Sequence, residues 1–344
     1  MSFPNRIPVT IITGFLGSGK TTLLRKLLIN SQEKLGVMVN EFGSVGIDGD
    51  LFKSCGFCSG EELDGRLVEL NNGCICCTVQ DDFLPALNNL LLPTRRLAGI
   101  VIETSGLALP KPLIQALSWP SIKAKVYLNG VVTVVDGEAL SKGSPIGDLS
   151  AFDNQRSEDK SIDHLTPLDE LFNNQLDAAD VILISRADLL GKALIKSIKL
   201  NIESKVKSTI PIFPISCGEI DSSIVLGINR SSEEYESKDK EHKHDHHHLE
   251  VINNSIRHEC KIEQNNLREL LTSIAVDFQI IRLKGRFWLA GKDLPLQVQM
   301  VGQRFDCWFE KVPPSSWKPR ISGLDLVVIS FRDGVVEEIQ NTFK

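Results

Sequence analysis

Short β-branched apolar runs alternate with stretches of helical spacing along the first two-thirds of the chain. The runs are Val9–Ile12, Val37–Val39, Ile100–Ile102, Val131–Val135, Val181–Ile184 and Ile210–Ile215. Between them, Leu23/Leu24/Leu27/Leu28, Phe83/Leu84/Leu87/Leu90/Leu91 and Leu168/Leu171/Phe172/Leu176 repeat at the three-to-four-residue period of an amphipathic helix. Repeated β–α alternation predicts an α/β fold, a mostly parallel, doubly wound sheet with helices on both faces. The pattern stops over 228–249, where Ser231–Lys240 is polar and charged and runs into Glu241-His242-Lys243-His244-Asp245-His246-His247-His248. Such a segment cannot bury enough apolar surface to order itself and reads as a linker. Beyond it, a helix near Asn266–Ile274 and strands near Phe278–Leu283, Arg286–Ala290, Leu296–Val301, Arg304–Phe309 and Leu324–Phe331 predict a small α+β domain. The predicted organisation is 1–227, a linker over 228–249, and 250–344.

Composition narrows the function classes. The 344 residues carry 38 Lys+Arg against 44 Asp+Glu, a formal net charge of −6. Without a basic excess, bulk nucleic-acid binding is not expected. No apolar run reaches the length of a membrane span and the first residues lack a signal-peptide core, so a cytoplasmic protein without membrane association is expected. Five of the eight cysteines (Cys55, Cys58, Cys74, Cys76, Cys77) fall between positions 55 and 77. In a cytosolic protein such clusters read as metal ligands or redox groups before disulfides. The scattered Cys217, Cys260 and Cys307 read as buried small hydrophobes.

Gly14-Phe15-Leu16-Gly17-Ser18-Gly19-Lys20-Thr21 satisfies GxxxxGK[ST] after a predicted strand and at the start of a predicted helix. Glycines let backbone N–H groups converge on phosphate oxygens, and the helix N-terminus favours negative charge. Gly14, Gly17, Ser18, Gly19, Lys20, Thr21 and Thr22 are therefore the nucleotide-binding candidates, with Lys20 reaching the β- and γ-phosphates and Thr21 on Mg²⁺. Glu103-Thr104-Ser105-Gly106 follows the apolar run Ile100–Ile102 at the edge where ligands of open α/β sheets bind. Glu103 is the candidate second Mg²⁺ ligand, and Gly106 the backbone beside the γ-phosphate. Ser185-Arg186-Ala187-Asp188 stands where guanine-reading proteins carry NKxD, and the carboxylate of Asp188 can accept both guanine N1–H and N2–H. Ser185 and Arg186 depart from that pattern, so adenine stays open as the alternative to guanine.

Cys74-Ile75-Cys76-Cys77 places three thiolates in a tight turn, a donor set suited to borderline divalent ions. Glu41, after the run Val37–Val39, projects from the same sheet edge. Both fall between the phosphate loop and Glu103, the region in which nucleotide switches sense the γ-phosphate. Cys55-x2-Cys58 followed by Cys74-x-Cys76 also fits a structural zinc ribbon, and the histidine run fits loose metal capture.

Taken together, Gly14–Thr21, Asn40-Glu41-Phe42-Gly43, Gly73-Cys74-Ile75-Cys76-Cys77-Thr78 and Glu103–Gly106 resemble the CobW family of P-loop GTPases. The histidine-rich linker and Arg282–Leu289 are similar to the same family. The extra Cys55-Gly56-Phe57-Cys58 loop resembles its branch associated with cobalt supply to cobalamin biosynthesis. The resemblance implies a slow GTPase with Lys20, Thr21 and Glu103 in its catalytic centre. It further implies a GTP-dependent metallochaperone that binds Co²⁺ or Zn²⁺ through Cys74, Cys76 and Cys77, with Glu41 assisting. Cobalt delivery is the first expectation, and its recipient would be a metal-accepting protein such as a cobalt chelatase. The alternatives are a zinc chaperone of the same family, or a P-loop kinase or regulatory switch with a structural zinc. Either a monomer or a homodimer is compatible with the sequence.

Overall fold

The β-branched runs form strands, and the strands assemble into a seven-stranded sheet of order β3-β2-β4-β1-β5-β6-β7. These are β1 (Ile7–Thr13), β2 (Leu35–Val39), β3 (Leu67–Glu69), β4 (Gly99–Glu103), β5 (Val126–Asp136), β6 (Val181–Ser185) and β7 (Ile212–Pro214). The structure is a computed structural model and describes residues 6–31, 33–39, 67–69, 83–147, 167–206, 210–227, 251–262, 266–302, 304–312 and 316–343. Every neighbouring pair in this sheet is parallel. Central parallel strands are covered on both faces, which is why β2, β4 and β6 are buried along their whole length.

The described helices of this unit are α1 (Lys20–Asn30), α2 (Leu84–Leu90), α3 (Pro110–Leu117), α4 (Pro120–Lys123), α5 (Gly137–Ser141), α6 (Leu168–Asp177), α7 (Lys192–Lys205) and α8 (Ser222–Leu226). Alternate residues Val9, Ile11, Ile100 and Ile102 share a core with Leu87 and Leu90 of α2 and Leu113 and Leu117 of α3. Ile182 and Ile184 share another with Leu171, Phe172 and Leu176 of α6 and Ile198 and Ile202 of α7. Helix α1 packs on β1 and β4 through a separate buried row, Leu23, Leu24 and Leu27. The register Ile12↔Glu103 brings the ends of β1 and β4 to the same sheet edge.

Contacts divide the chain into two compact units, Arg6–Leu226 and Gly227–Lys344. The predicted linker over 228–249 lies outside the described residues. In the second unit, β8 (Ile252–Glu259), β9 (Ile280–Trp288), β10 (Leu296–Val301), β11 (Arg304–Phe309) and β12 (Gly323–Ser330) form an antiparallel sheet of order β11-β10-β9-β12-β8. Helices α9 (Leu267–Asp277) and α10 (Val335–Thr342) bury Leu271, Ile274, Val335 and Ile339 against Leu283, Phe287, Val298 and Leu326.

Three features of the second unit differ from the sequence expectation. The predicted strands Phe278–Leu283 and Arg286–Ala290 are one strand, β9. A Cβ on Gly285 would stand 2.1 Å from the Asp325 carbonyl oxygen, so this glycine permits close strand approach and marks no turn. Strand β8 was not predicted, because Ile256 is its one fully buried residue and an edge strand needs no apolar alternation. Helix α10 was missed because its short Val335-Val336…Ile339 row carries few apolar positions. Among the described residues, no helix is long and apolar enough to cross a membrane.

Candidate functional site

Strand β1 ends at Thr13, and the glycine-rich loop turns from it directly into α1. Gly14 has φ 136°, and a Cβ there would lie 2.0 Å from the Val134 carbonyl oxygen of β5. A side chain at this position is excluded both by conformation and by space. Lys20 is buried and its Nζ donates to the Phe15 carbonyl at 2.9 Å, which holds the ammonium over the loop. The Thr21 hydroxyl donates to Glu103 Oε1 at 2.7 Å. Glu103 is itself buried. The two residues therefore meet although 82 positions separate them.

The segment after Glu103 is tied to the loop. Thr104 N–H donates to the Ile12 carbonyl at 3.0 Å, and its hydroxyl donates to Thr13 Oγ1 at 3.0 Å. Gly106 backs onto the loop so closely that a Cβ would stand 2.4 Å from the Leu16 nitrogen. Ser105 Oγ is buried at the cleft wall with no hydrogen-bond partner among the described residues.

On the opposite wall, Ser185 Oγ donates to the Val135 carbonyl at 3.2 Å. Arg186 (φ 55°) donates through Nη2 to the Gly17 carbonyl at 3.2 Å and through Nη1 to the buried carboxylate of Asp136. Asp136 also caps α5, accepting from Ala139 N–H at 3.1 Å. The Ala187 N–H donates to the Ile215 carbonyl at 3.1 Å, fastening the Arg186–Asp188 segment to the loop carrying Cys217 and Gly218. These walls enclose a cleft of about 430 Å³.

Of the residues singled out in the sequence, Gly17, Gly19, Lys20, Thr21, Thr22, Glu103, Gly106 and Asp188 line this cleft. Gly14 and Ser18 are buried within the loop. Glu41, Cys74, Cys76 and Cys77, together with Cys55, Cys58 and the histidine run, lie outside the described residues. One residue beside the cleft went unread, and one on its wall was read differently. Asp136 ends the apolar run Val131–Val135 as Glu103 ends Ile100–Ile102, and that signal could have found it. Cys217 was expected to be buried, yet it is exposed on the cleft wall with φ 52°. Cys307, on the edge strand β11, is exposed as well. Cys260 is partly buried, and that burial pushes its thiol up to about 11. Among the described residues, no three His, Cys, Asp or Glu side chains group closely enough to hold a metal.

The donor set fits Mg²⁺. A hydroxyl and a carboxylate, both hard oxygen donors, meet at the mouth of a phosphate-binding loop, which is how this ion is usually held beside phosphates. Lysine and converging backbone amides supply the complementary charge for the phosphates themselves. The cleft can thus bind a nucleoside polyphosphate.

Two family profiles match the chain: "CobW/HypB/UreG, nucleotide-binding domain" over residues 8–214, and "Cobalamin synthesis protein cobW C-terminal domain" over 251–344. A Pseudomonas aeruginosa protein named zinc chaperone CobW is 41% identical over 313 residues, covering 89% of this chain and 83% of its own length. A Sinorhizobium protein of the same name is 38% identical over 336 residues, covering 95% of this chain and 94% of its own. The Escherichia coli zinc chaperone YjiA is 31% identical over 232 residues, 65% of this chain and 62% of its own. The relatives' names specify zinc where the sequence reading put cobalt first, and so favour that reading's alternative.

Proposed function

The chain belongs to the CobW/HypB/UreG family and is a GTPase, and from that premise we propose that it is a zinc metallochaperone. The observation that carries the proposal is near-full-length similarity to proteins named zinc chaperones, in a chain that holds three clustered thiols between its phosphate loop and Glu103. Cobalt, the first expectation from sequence, becomes the competing cargo.

The described residues define the nucleotide half of the cycle. The loop amides and Lys20 offset the charge of the β- and γ-phosphates, and Asp188 accepts the two edge hydrogens of guanine. Thr21 and Glu103 would hold Mg²⁺, which when bound polarises phosphate oxygens. Arg186 ties the base-reading segment to the phosphate loop through Gly17, so base and phosphate are positioned by one connected unit. Gly106, packed on Leu16, stands where a γ-phosphate is sensed. Intrinsic hydrolysis is slow and a partner accelerates it.

For the cargo half, Cys74, Cys76 and Cys77 take zinc as thiolates, with Glu41 assisting, and hydrolysis loosens the site so that the metal passes to a recipient protein. Since binding free energies are reciprocal, zinc must raise affinity for GTP by the factor by which GTP raises affinity for zinc.

The test is a competition titration of the reduced protein with Zn²⁺ and a chromophoric chelator, in three states: with Mg²⁺ and a non-hydrolysable GTP analogue, with Mg²⁺-GDP, and without nucleotide. At least about tenfold tighter zinc binding with the analogue is expected, a coupling within the usual range. Equal affinity in all three states overturns the proposal, as does retention of the site after simultaneous replacement of Cys74, Cys76 and Cys77 by serine.

A further inference from the structure

We propose that Gln175, outside the cleft, is a positioning residue for GTP hydrolysis: its side-chain amide holds the Gly106 loop in register with the phosphate loop. The inference rests on the GTPase assignment and deepens it.

Gln175 lies on α6 and is fully buried. Its Nε2 donates to two carbonyls of the loop after Glu103, that of Gly106 at 3.2 Å and that of Ala108 at 3.3 Å. Both partners are acceptors, so the amide can face them only with its nitrogen. Its Oε1 is buried with no hydrogen-bond partner among the described residues. Burying an unpaired amide oxygen is unfavourable, and an apolar side chain of similar volume would fill the same space without that cost. Packing therefore does not account for glutamine here. What the amide adds is a fixed orientation for two peptide planes, one of them belonging to the residue that lines the cleft beside Leu16.

The same helix also grips the phosphate loop. Phe172, one turn before Gln175, stacks on Phe15 with ring centroids 5.8 Å apart and planes 16° apart. The Gln175 backbone carbonyl accepts from Thr133 Oγ1 at 3.0 Å, anchoring the helix to β5, whose Val134 carbonyl sits under Gly14. One face of α6 thus touches both loops that contact phosphates: Phe172 sets the phosphate loop and Gln175 sets the Gly106 loop against it. The α- and β-phosphates and the base are held by other residues. Loss of the amide should therefore be felt where the γ-phosphate is, and spare GDP.

The experiment compares wild type with Gln175→Met, which keeps volume and removes both donors, and Gln175→Glu. Each is measured for GTP turnover, for affinity toward fluorescent GDP and a non-hydrolysable GTP analogue, and for thermal unfolding. For Gln175→Met, turnover falls by about tenfold or more while GDP affinity stays within about threefold, the split expected of a group acting on the γ-phosphate step. For Gln175→Glu, the ionised carboxylate repels two carbonyls, whereas its protonated form donates one O–H. Its turnover relative to wild type should therefore rise as pH falls from 8 to 6. Turnover of a folded Gln175→Met within about twofold of wild type, or parallel loss of GDP and analogue binding, overturns the proposal. Should Gln175→Met fail to fold, a pH-independent ratio of Gln175→Glu to wild type overturns it instead. A wild type that turned over no GTP would refute the GTPase premise. The ratio of analogue to GDP affinity would then decide Gln175, a ratio unchanged in the variants overturning its role.

Discussion

Replacing Gly106 by alanine probes the closest approach in the cleft. The new Cβ would lie 2.4 Å from the Leu16 nitrogen, 2.8 Å from its Cα and 3.1 Å from its Cβ. Unstrained contacts of this kind need at least about 3.4 Å, so the two loops must separate by roughly 1 Å. Leu16 backbone is part of a loop hydrogen-bonded at both ends, and the Gly106 carbonyl is held by Gln175, so neither side yields freely. Overpacking of this kind costs about 1–3 kcal/mol, which for a unit of this size lowers the melting temperature by about 2–12 °C. The unit should therefore still fold. Function should suffer more, since a shift near 1 Å at a phosphate site can cost about 100-fold in rate. Thermal unfolding, GTP turnover and fluorescent-GDP titration check this together. The expected result is a folded protein with turnover reduced at least about tenfold. An alanine variant with wild-type turnover and melting temperature would refute the reasoning, because the stated contact could not then exist.

Two further outcomes follow from single groups. Asp188→Asn exchanges an acceptor for a donor opposite the guanine edge, so GTP affinity should fall by at least about tenfold while xanthosine triphosphate, which carries a carbonyl at that position, gains; competition against fluorescent GDP reads both, and an unchanged preference refutes guanine reading by this residue. In the second unit, burial, with Arg282 and Arg286 nearby and Glu310 opposing, brings the Lys284 ammonium down to about 8 from the usual 10.5. The folded state then holds fewer protons than the unfolded chain between these values, so this group makes stability rise with pH across that window, and its penalty is complete below pH 8. Lys284→Met should accordingly melt higher than wild type at pH 7, by up to about 3 kcal/mol in stability, with the difference closing by pH 10.5. An equal gain at both pH values would refute the assignment.

How far the sequence could be read depended on whether a feature was continuous in the chain. Gly14–Thr21, flanked by an apolar run and a helical row, carries its whole chemistry in eight residues, and its position on strand and helix was legible. So was the α/β class, because strands buried on both faces must be apolar throughout. Glu103 was legible because an acid closes an apolar run, and the same cue, unread, marked Asp136. Strand β8 and the continuity of β9 were not legible: an edge strand carries little apolar pattern, and Gly285 looks like a turn until the Asp325 carbonyl is seen behind it.

Local pattern alone determined the phosphate loop, the fold class and the acidic residue at the end of β4. It did so because backbone conformation and burial are dictated by neighbours within a few residues. The pairings that make the cleft were settled by packing. Thr21 meets Glu103, Arg186 joins Asp136 to Gly17, and Gln175 holds Gly106, across separations of 82, 50, 169 and 69 positions. Such contacts depend on strand order, register and helix rotation, which fix side-chain positions to within a hydrogen-bond length and leave no trace in the spacing of residues along the chain.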